Sequence, residues 1–222
     1  MTFIKNLETE LCLNSNPEIA ISMQNYMKNN FLFLGIKTDI RRAILKNNYH
    51  KHQDEVQNNF RSISWELFQK KEREFHQCAI DILVKEIKKK YVLEDIQLIE
   101  KLLTSNSWWD SVDTIAKYIL GGYLNKFPNE ILTIVERFSN SENLWLKRSA
   151  IIFQLSYKEK TNFDLLKSEC EKHKDSKEFF IQKAIGWALR DYSRFNPDGV
   201  LEFVNSTKLK PLSKREALRN IK

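Results

Sequence analysis

The sequence predicts an all-α fold, a solenoid of stacked helix pairs that spans residues 1–222 as a single domain. Five glycines and four prolines among 222 residues are fewer turn residues than a sheet-rich fold needs. Short segments recur at a nearly constant spacing, and apolar residues recur at three- and four-residue steps, as in Trp108, Val112 and Ile115. These patterns indicate long helices joined by short turns.

The recurring segments each place a small residue before an apolar run. The small residues are Ala43, Ala79, Thr114, Ala150 and Ala184, which gives spacings of 36, 35, 36 and 34 residues. A period of about 35 residues is typical of helix-pair repeats, whose stacking buries one continuous core and leaves a concave surface. We therefore expect a HEAT-like solenoid.

Local signals predict where the helices begin and end. Starts are expected at Asn16-Pro17-Glu18, Thr38-Asp39, Ser107, Ser176-Lys177-Glu178, and Ser213 with Glu216, which forms a capping-box pattern. Breaks are expected at Gly35, Gly121-Gly122, Phe127-Pro128, Asn140-Ser141 and Asn196-Pro197.

The charge balance favours a polyanionic partner. Lys and Arg number 36 against 29 Asp and Glu, a net charge of +7, and residues 177–222 hold ten basic against five acidic residues. Such a surface suits nucleic acid or an anionic membrane, or is simply solvated.

The sequence shows no apolar signal core and no apolar run long enough to span a bilayer, so a cytoplasmic protein is expected. The three cysteines are far apart and predict neither a disulfide framework nor a metal site.

Asp113 breaks the apolar pattern of its predicted helix. It lies four residues after Trp109, on a face that continues through Ala116 and Leu120. A carboxylate among apolar side chains needs a positively charged or hydrogen-bonding partner, or a solvent-filled cleft. Arg148, on an equally apolar stripe of the next repeat, is the predicted partner. The pair then belongs to a functional cleft or, alternatively, is an inter-repeat salt bridge that only fixes stacking.

Two basic clusters are candidate DNA-binding surfaces. The helix predicted near the C-terminus aligns a stripe along one face, while its other face carries residues that suit the core. The stripe comprises Lys183, Trp187, Arg190 and Arg194, and the core-facing residues are Phe180, Ala184, Ala188 and Phe195. A Trp within a basic stripe suits a surface that holds a phosphate backbone. Arg41 and Arg42, after the predicted Thr38 cap, form the second cluster at a helix N-terminus that favours phosphate. Solvated charged surfaces are the alternative for both.

At this point the chain resembles a family, the DNA alkylation-repair glycosylases of the AlkD type. The resemblance covers essentially the whole chain, and the strings W-W-D-S-V-D and F-F-I-Q-K-A-I-G-W are its most specific parts. The segments that carry it are residues 26–35, 107–113, 144–148, 177–187 and 211–217.

The resemblance implies an enzyme that removes N3- and N7-alkylated purines from double-stranded DNA and leaves an abasic site, with no metal or organic cofactor. It acts from the backbone side without flipping the base into a pocket. We expect the chain to be a monomer without an obligate protein partner. The implied catalytic residues are Trp109, Asp113 and Trp187. The implied DNA contacts include Arg148, Tyr26, Thr38, Arg41 and Arg42. Some paralogues in this superfamily have lost the catalytic carboxylate, and the presence of Asp113 argues against membership of that group.

The residues suit this chemistry. An alkylated purine is cationic and leaves without protonation, so one carboxylate suffices to stabilise the sugar cation and position water, and two indoles add cation–π attraction.

Two other classes of protein remain as alternatives. A non-catalytic DNA-binding solenoid needs the basic stripe but not Asp113, and a protein–protein adaptor needs neither.

Overall fold

A computed structural model describes residues 1–221. Within this range the chain forms helices and no β-strand, and one isolated bridge joins Leu32 and Glu72. The prediction of an all-α helical-repeat fold is confirmed. The described residues also include no helix that is both long and apolar enough to cross a membrane.

The chain divides into two compact units, Met1–Lys90 and Tyr91–Lys222. The first unit contains helices Phe3–Leu13 (α1), Pro17–Tyr26 (α2), Thr38–Lys51 (α3), Gln53–Phe68 (α4) and Arg73–Glu86 (α5). Its core is formed by fully buried aromatic and aliphatic side chains from α1, α4 and α5, among them Leu7, Phe60 and Phe75.

The second unit contains the longer series of helices. They are Asp95–Thr104 (α6), Trp109–Thr114 (α7), Gly121–Lys126 (α8), Ile131–Ser139 (α9), Leu144–Ile152 (α10), Phe163–Lys172 (α11), Phe179–Tyr192 (α12), Pro197–Ser206 (α13) and Pro211–Ala217 (α14). A core cluster surrounds α12, where Ala184, Ile185 and Leu189 pack with Ile152 and Val200. Helix α12 therefore lies at the centre of this cluster, with apolar neighbours from α10 and α13.

Asparagine caps explain several helix starts. Asn16 accepts hydrogen bonds from the backbone N–H groups of Glu18 and Ile19, and Pro17 is the first helical residue. Asn196 caps α13 in the same way, again before a proline. Each such cap is worth about 1 kcal/mol. The start at Asn16 is as predicted, whereas Asn196-Pro197 was predicted only as a break.

Two other predicted caps are wrong. Helix α3 begins at Thr38, so Lys37 is its N-cap and no side chain caps it. Helix α14 begins after Lys210, and Ser213 lies inside it and donates to the carbonyl of Gln182. The predicted capping box of Ser213 and Glu216 therefore does not form, because contacts with α12 take both side chains.

The predicted break at Gly121-Gly122 is also wrong. Helix α7 continues through a π-helical segment, Ile115–Leu120, directly into α8. A Cβ on Gly121 would lie 2.5 Å from the carbonyl oxygen of Phe153, so glycine is needed for close approach and not for a turn. The break at Gly35 is confirmed, where φ is +82° and favours glycine.

Candidate active site and DNA-binding residues

Helix α7 presents the first two candidate catalytic residues. It begins at Trp109, after Trp108 in extended conformation, and ends at Thr114. Asp113 therefore lies one turn after Trp109 on the same face, and both side chains are half-buried. The π-helical segment follows at once, a feature that often accompanies functional sites and that the sequence did not predict.

Arg148 on α10 binds both oxygens of Asp113. Its Nε lies 2.7 Å from Oδ1 and an Nη atom lies 2.8 Å from Oδ2, a bidentate geometry. The Arg148 side chain is 4% exposed and that of Asp113 is 17% exposed. The predicted approach of these two residues is confirmed.

Helix α12 contributes to the same ion pair. The second Nη atom of Arg148 donates to the backbone carbonyl of Phe180, in the first turn of α12. Arg148 is thus held by α7 and α12 together, so its orientation is fixed from both sides. Leaving a buried charge without its partner costs about 3–5 kcal/mol, and this pairing accounts for an arginine on an apolar stripe.

Burial raises the pKa of the Asp113 carboxyl above its ordinary value. The hydrogen bonds and the charge of Arg148 oppose this effect, and Asp110 adds to it. The carboxylate is therefore desolvated, fixed in orientation and poised closer to neutral pH than an exposed aspartate. Such groups cluster at functional sites, although structural ion pairs share these properties.

An aromatic cluster lies beside this pair. Trp108, Trp145 and Phe180 meet pairwise with ring centroids 5.0–5.7 Å apart. Phe180 was predicted to suit the core, and it is half-buried in this cluster instead. The signal for the cluster was present in the strings W-W and L-W, but sequence spacing could not show that the two segments meet.

Trp187 lies on α12 and is half-buried, packing against the core cluster. It follows Phe180 by two turns and so lies on the same side of the helix as the Phe180 ring, whose centroid is 5.9 Å from the guanidinium carbon of Arg148. The two cations beside it are not free. Lys183 and Arg190 both pair with Glu216 of α14, at 3.0 and 2.7 Å.

The predicted stripe is shorter than the sequence suggested. Helix α12 ends at Tyr192, so Arg194 lies in the following turn, where it is exposed. Alignment of Arg194 with the stripe is therefore wrong. Phe195 is 38% exposed and does not belong to the core as expected. The turn ends the helical register before both residues.

The candidate contacts of the first unit differ in exposure. Tyr26 is 69% exposed at the end of α2, and Thr38 is exposed at the start of α3. Both line a cavity of about 360 Å³. Arg42 is exposed, whereas Arg41 is 3% exposed and pairs with Asp81 at 2.8 Å. Arg41 is thus buried, contrary to the expected surface cation.

Residues 7–221 match the family model described as DNA alkylation repair enzyme. The chain belongs to the DNA alkylation repair enzyme family. A search of the curated proteins finds no match to this chain. Among the described residues, no group of three or more His, Cys, Asp or Glu side chains is arranged to hold a metal ion.

One solved structure supports the same family, and two others share the fold. A protein from Enterococcus faecalis, described as a predicted DNA alkylation repair enzyme, is 36% identical, with a TM-score of 0.84 over 93% of this chain and 96% of its own. AlkD2 from Streptococcus mutans is 17% identical, with a TM-score of 0.61 over 84% of this chain and 91% of its own. The protein smu.31 from Streptococcus mutans UA159 is also 17% identical, with a TM-score of 0.59 over 82% and 98%. The last two show a shared fold alone.

Proposed function

We propose that the chain is a monofunctional DNA glycosylase that hydrolyses the N-glycosidic bond of N3- and N7-alkylated purines in double-stranded DNA. Membership of the family supports a repair enzyme. The observation that carries the finer proposal is the Asp113 carboxylate, desolvated and held by two bonds from Arg148. A fixed carboxylate in a site of low polarity stabilises a developing cation far more than it does in water.

The proposed reaction breaks the bond between C1′ and the base nitrogen. The bonding electrons leave with the base, which starts as a cation and departs neutral, so no acid is needed. The sugar gains oxocarbenium character, water adds at C1′ and releases one proton, and an abasic site remains. Each oxygen of Asp113 uses one lone pair on Arg148 and keeps another for the sugar cation or the water.

We further propose that Trp109 and Trp187 contact the sugar beside this carboxylate, where an indole face attracts developing positive charge. Lys183, Arg190 and Arg194 in the second unit and Tyr26, Thr38 and Arg42 in the first are proposed contacts to the DNA backbone. Arg148, paired with Asp113, is proposed to line the cleft.

Asp113→Asn tests the proposal because it keeps the shape and removes the charge. Single-turnover excision of N7-methylguanine from duplex DNA is expected to fall by about two to three orders of magnitude, the scale for losing one such electrostatic contact. Binding to the same DNA is expected to persist or tighten, because a carboxylate near phosphates repels them.

Asp164→Asn is the matched control, since Asp164 is 92% exposed on α11 and its substitution removes the same charge. We expect it to excise at the wild-type rate. If the Asp113–Arg148 pair were only structural, Asp113→Asn would lower the melting temperature while the folded fraction still excised. A wild-type protein that binds alkylated DNA without excising the base would instead be a non-catalytic binder.

A further inference from the structure

Glu216 bridges two of the candidate DNA-binding cations. Its Oε1 lies 3.0 Å from Nζ of Lys183, and its Oε2 lies 2.7 Å from an Nη atom of Arg190. Lys183 precedes Trp187 by four residues and Arg190 follows it by three, so the cations stand one turn to either side of the indole. One carboxylate from α14 therefore fixes both long side chains that flank Trp187.

The backbone that carries Glu216 is itself fixed against α12. A Cβ added to Gly186 would lie 2.4 Å from Cβ of Glu216 and 2.9 Å from the carbonyl oxygen of Ser213. The Ser213 hydroxyl donates to the carbonyl of Gln182, and Ala217 is fully buried. The two helices thus touch where Glu216 stands, and its carboxylate has little freedom to move.

The carboxylate lies behind the cations. Its side chain is 12% exposed, whereas those of Arg190 and Lys183 are 20% and 37% exposed. The hydrogen bond from Lys183, together with that from Arg190, holds the pKa of Glu216 below its ordinary value, so the group is ionised near neutral pH. A ligand that arrives from solvent meets the two cations first, and together the three groups carry one net positive charge.

We propose that Glu216 is a positioning residue that holds Lys183 and Arg190 as a preorganised pair of phosphate donors around Trp187. This inference rests on the proposed function. Glu216 cancels one of the two positive charges, which weakens binding to any DNA. It also fixes where the DNA backbone is held beside Trp187. Placement of this kind governs the rate of a reaction more than its binding step.

Glu216→Gln removes the charge and nearly preserves the shape. With two net charges in place of one, the pair neutralises one more phosphate, so the slope of log K against log salt for undamaged duplex DNA steepens by about 0.9. The affinity then falls about 3.5-fold more than that of wild type between about 50 and 200 mM salt. Single-turnover excision of N7-methylguanine slows by about ten-fold, because the freed side chains no longer hold the backbone in place.

Glu202→Gln is the matched control. Glu202 is exposed on α13 and forms no ion pair with another residue of the described chain, so this variant keeps the wild-type slope and rate. Glu216→Asp keeps the charge but is one methylene too short to bridge both cations. It retains the wild-type slope and excises more slowly, which separates the placement from the charge.

A Glu216→Gln slope no steeper than that of Glu202→Gln, or an unchanged excision rate, overturns the inference. A purely structural role would lower the melting temperature and leave the slope unchanged, which also overturns it. The binding measurement uses undamaged DNA and needs no excision, so it tests Glu216 even if wild type fails to excise. A failure of wild type to excise contradicts the proposed function alone.

Discussion

At the scale of single residues, the Asp113 carboxylate meets opposing requirements. The proposed chemistry needs its negative charge, yet burial disfavours that charge and raises the pKa. The hydrogen bonds and the charge of Arg148 lower the pKa and so partly offset the effect of burial. The bidentate bond also fixes which lone pairs remain free for the proposed reaction. Its pairing with Arg148 therefore couples stability to the proposed activity.

The raised pKa of Asp113 predicts the pH dependence of excision. The proposed reaction needs the ionised form of Asp113. The single-turnover rate is therefore expected to fall as the pH drops through this pKa, with an acidic limb above the ordinary aspartate value of 3.8. The free energy of unfolding depends on pH in the opposite direction to the excision rate. Because the pKa of Asp113 is higher in the folded than in the unfolded protein, its contribution to stability is lost as the pH rises through the folded pKa.

This prediction is checked by rates measured from neutral pH downward, corrected for uncatalysed loss of the base. Asp164→Asn is expected to keep the acidic limb and Asp113→Asn to lack it. A limb that persists in Asp113→Asn would show that another group titrates, and the pKa of Asp113 would then not control excision.

At the scale of helices, Gly121 shows how glycine serves packing within a continuous helix. A Cβ there would lie 2.5 Å from the carbonyl oxygen of Phe153, a backbone atom that cannot rotate away. In an isolated helix, replacing glycine by alanine is worth about 1 kcal/mol of stabilisation. Here the close approach reverses the sign.

Gly121→Ala is therefore expected to lower the free energy of unfolding by about 1–3 kcal/mol, the usual cost of overpacking. Urea denaturation measures it. Ser168→Ala is the control, since Ser168 is exposed within α11 and its replacement favours the helix slightly. A Gly121→Ala protein as stable as wild type would mean that the backbone at Phe153, just after α10, shifts without cost.

Helix ends and site residues were predictable where the signal is local. Asn16 caps a helix as expected, because this cap involves only its own next turn. Ser213 carries the same kind of local signal, but its hydroxyl bonds to α12 instead. The burial of Arg41 escaped prediction for a similar reason, because its partner Asp81 lies 40 residues away.

The candidate site could be predicted in part. Asp113 and Arg148 were identifiable because each breaks an apolar stripe, and the repeat spacing placed them in adjacent units. The bridge from Glu216 was not, since no spacing within one helix shows which neighbouring helix supplies a carboxylate. The π-helical turn after Asp113 likewise has no local signal in its sequence.

At the scale of the whole molecule, the repeat spacing is the strongest sequence signal for one domain. The interval between Ala79 and Thr114 is 35 residues, like its neighbours, although the division between the two compact units falls inside it. Helix α5 ends at Glu86 and α6 begins at Asp95, so no long linker separates them. Stacked repeats joined by short connections unfold together when coupling between neighbours exceeds the instability of single repeats.

A single cooperative unfolding transition is therefore expected, and the tryptophans provide a way to test it. The first unit contains Trp65, and the second contains Trp108, Trp109, Trp145 and Trp187. Tryptophan fluorescence therefore reports mainly on the second unit, whereas far-ultraviolet ellipticity reports on the helices of both. Urea transitions followed by the two signals should coincide in midpoint and slope, which is the test of two-state behaviour. Trp65→Phe removes the fluorophore of the first unit and should leave the coincidence unchanged. If ellipticity showed two steps and fluorescence followed only one of them, the repeats would form two domains, and the single-domain prediction would be wrong.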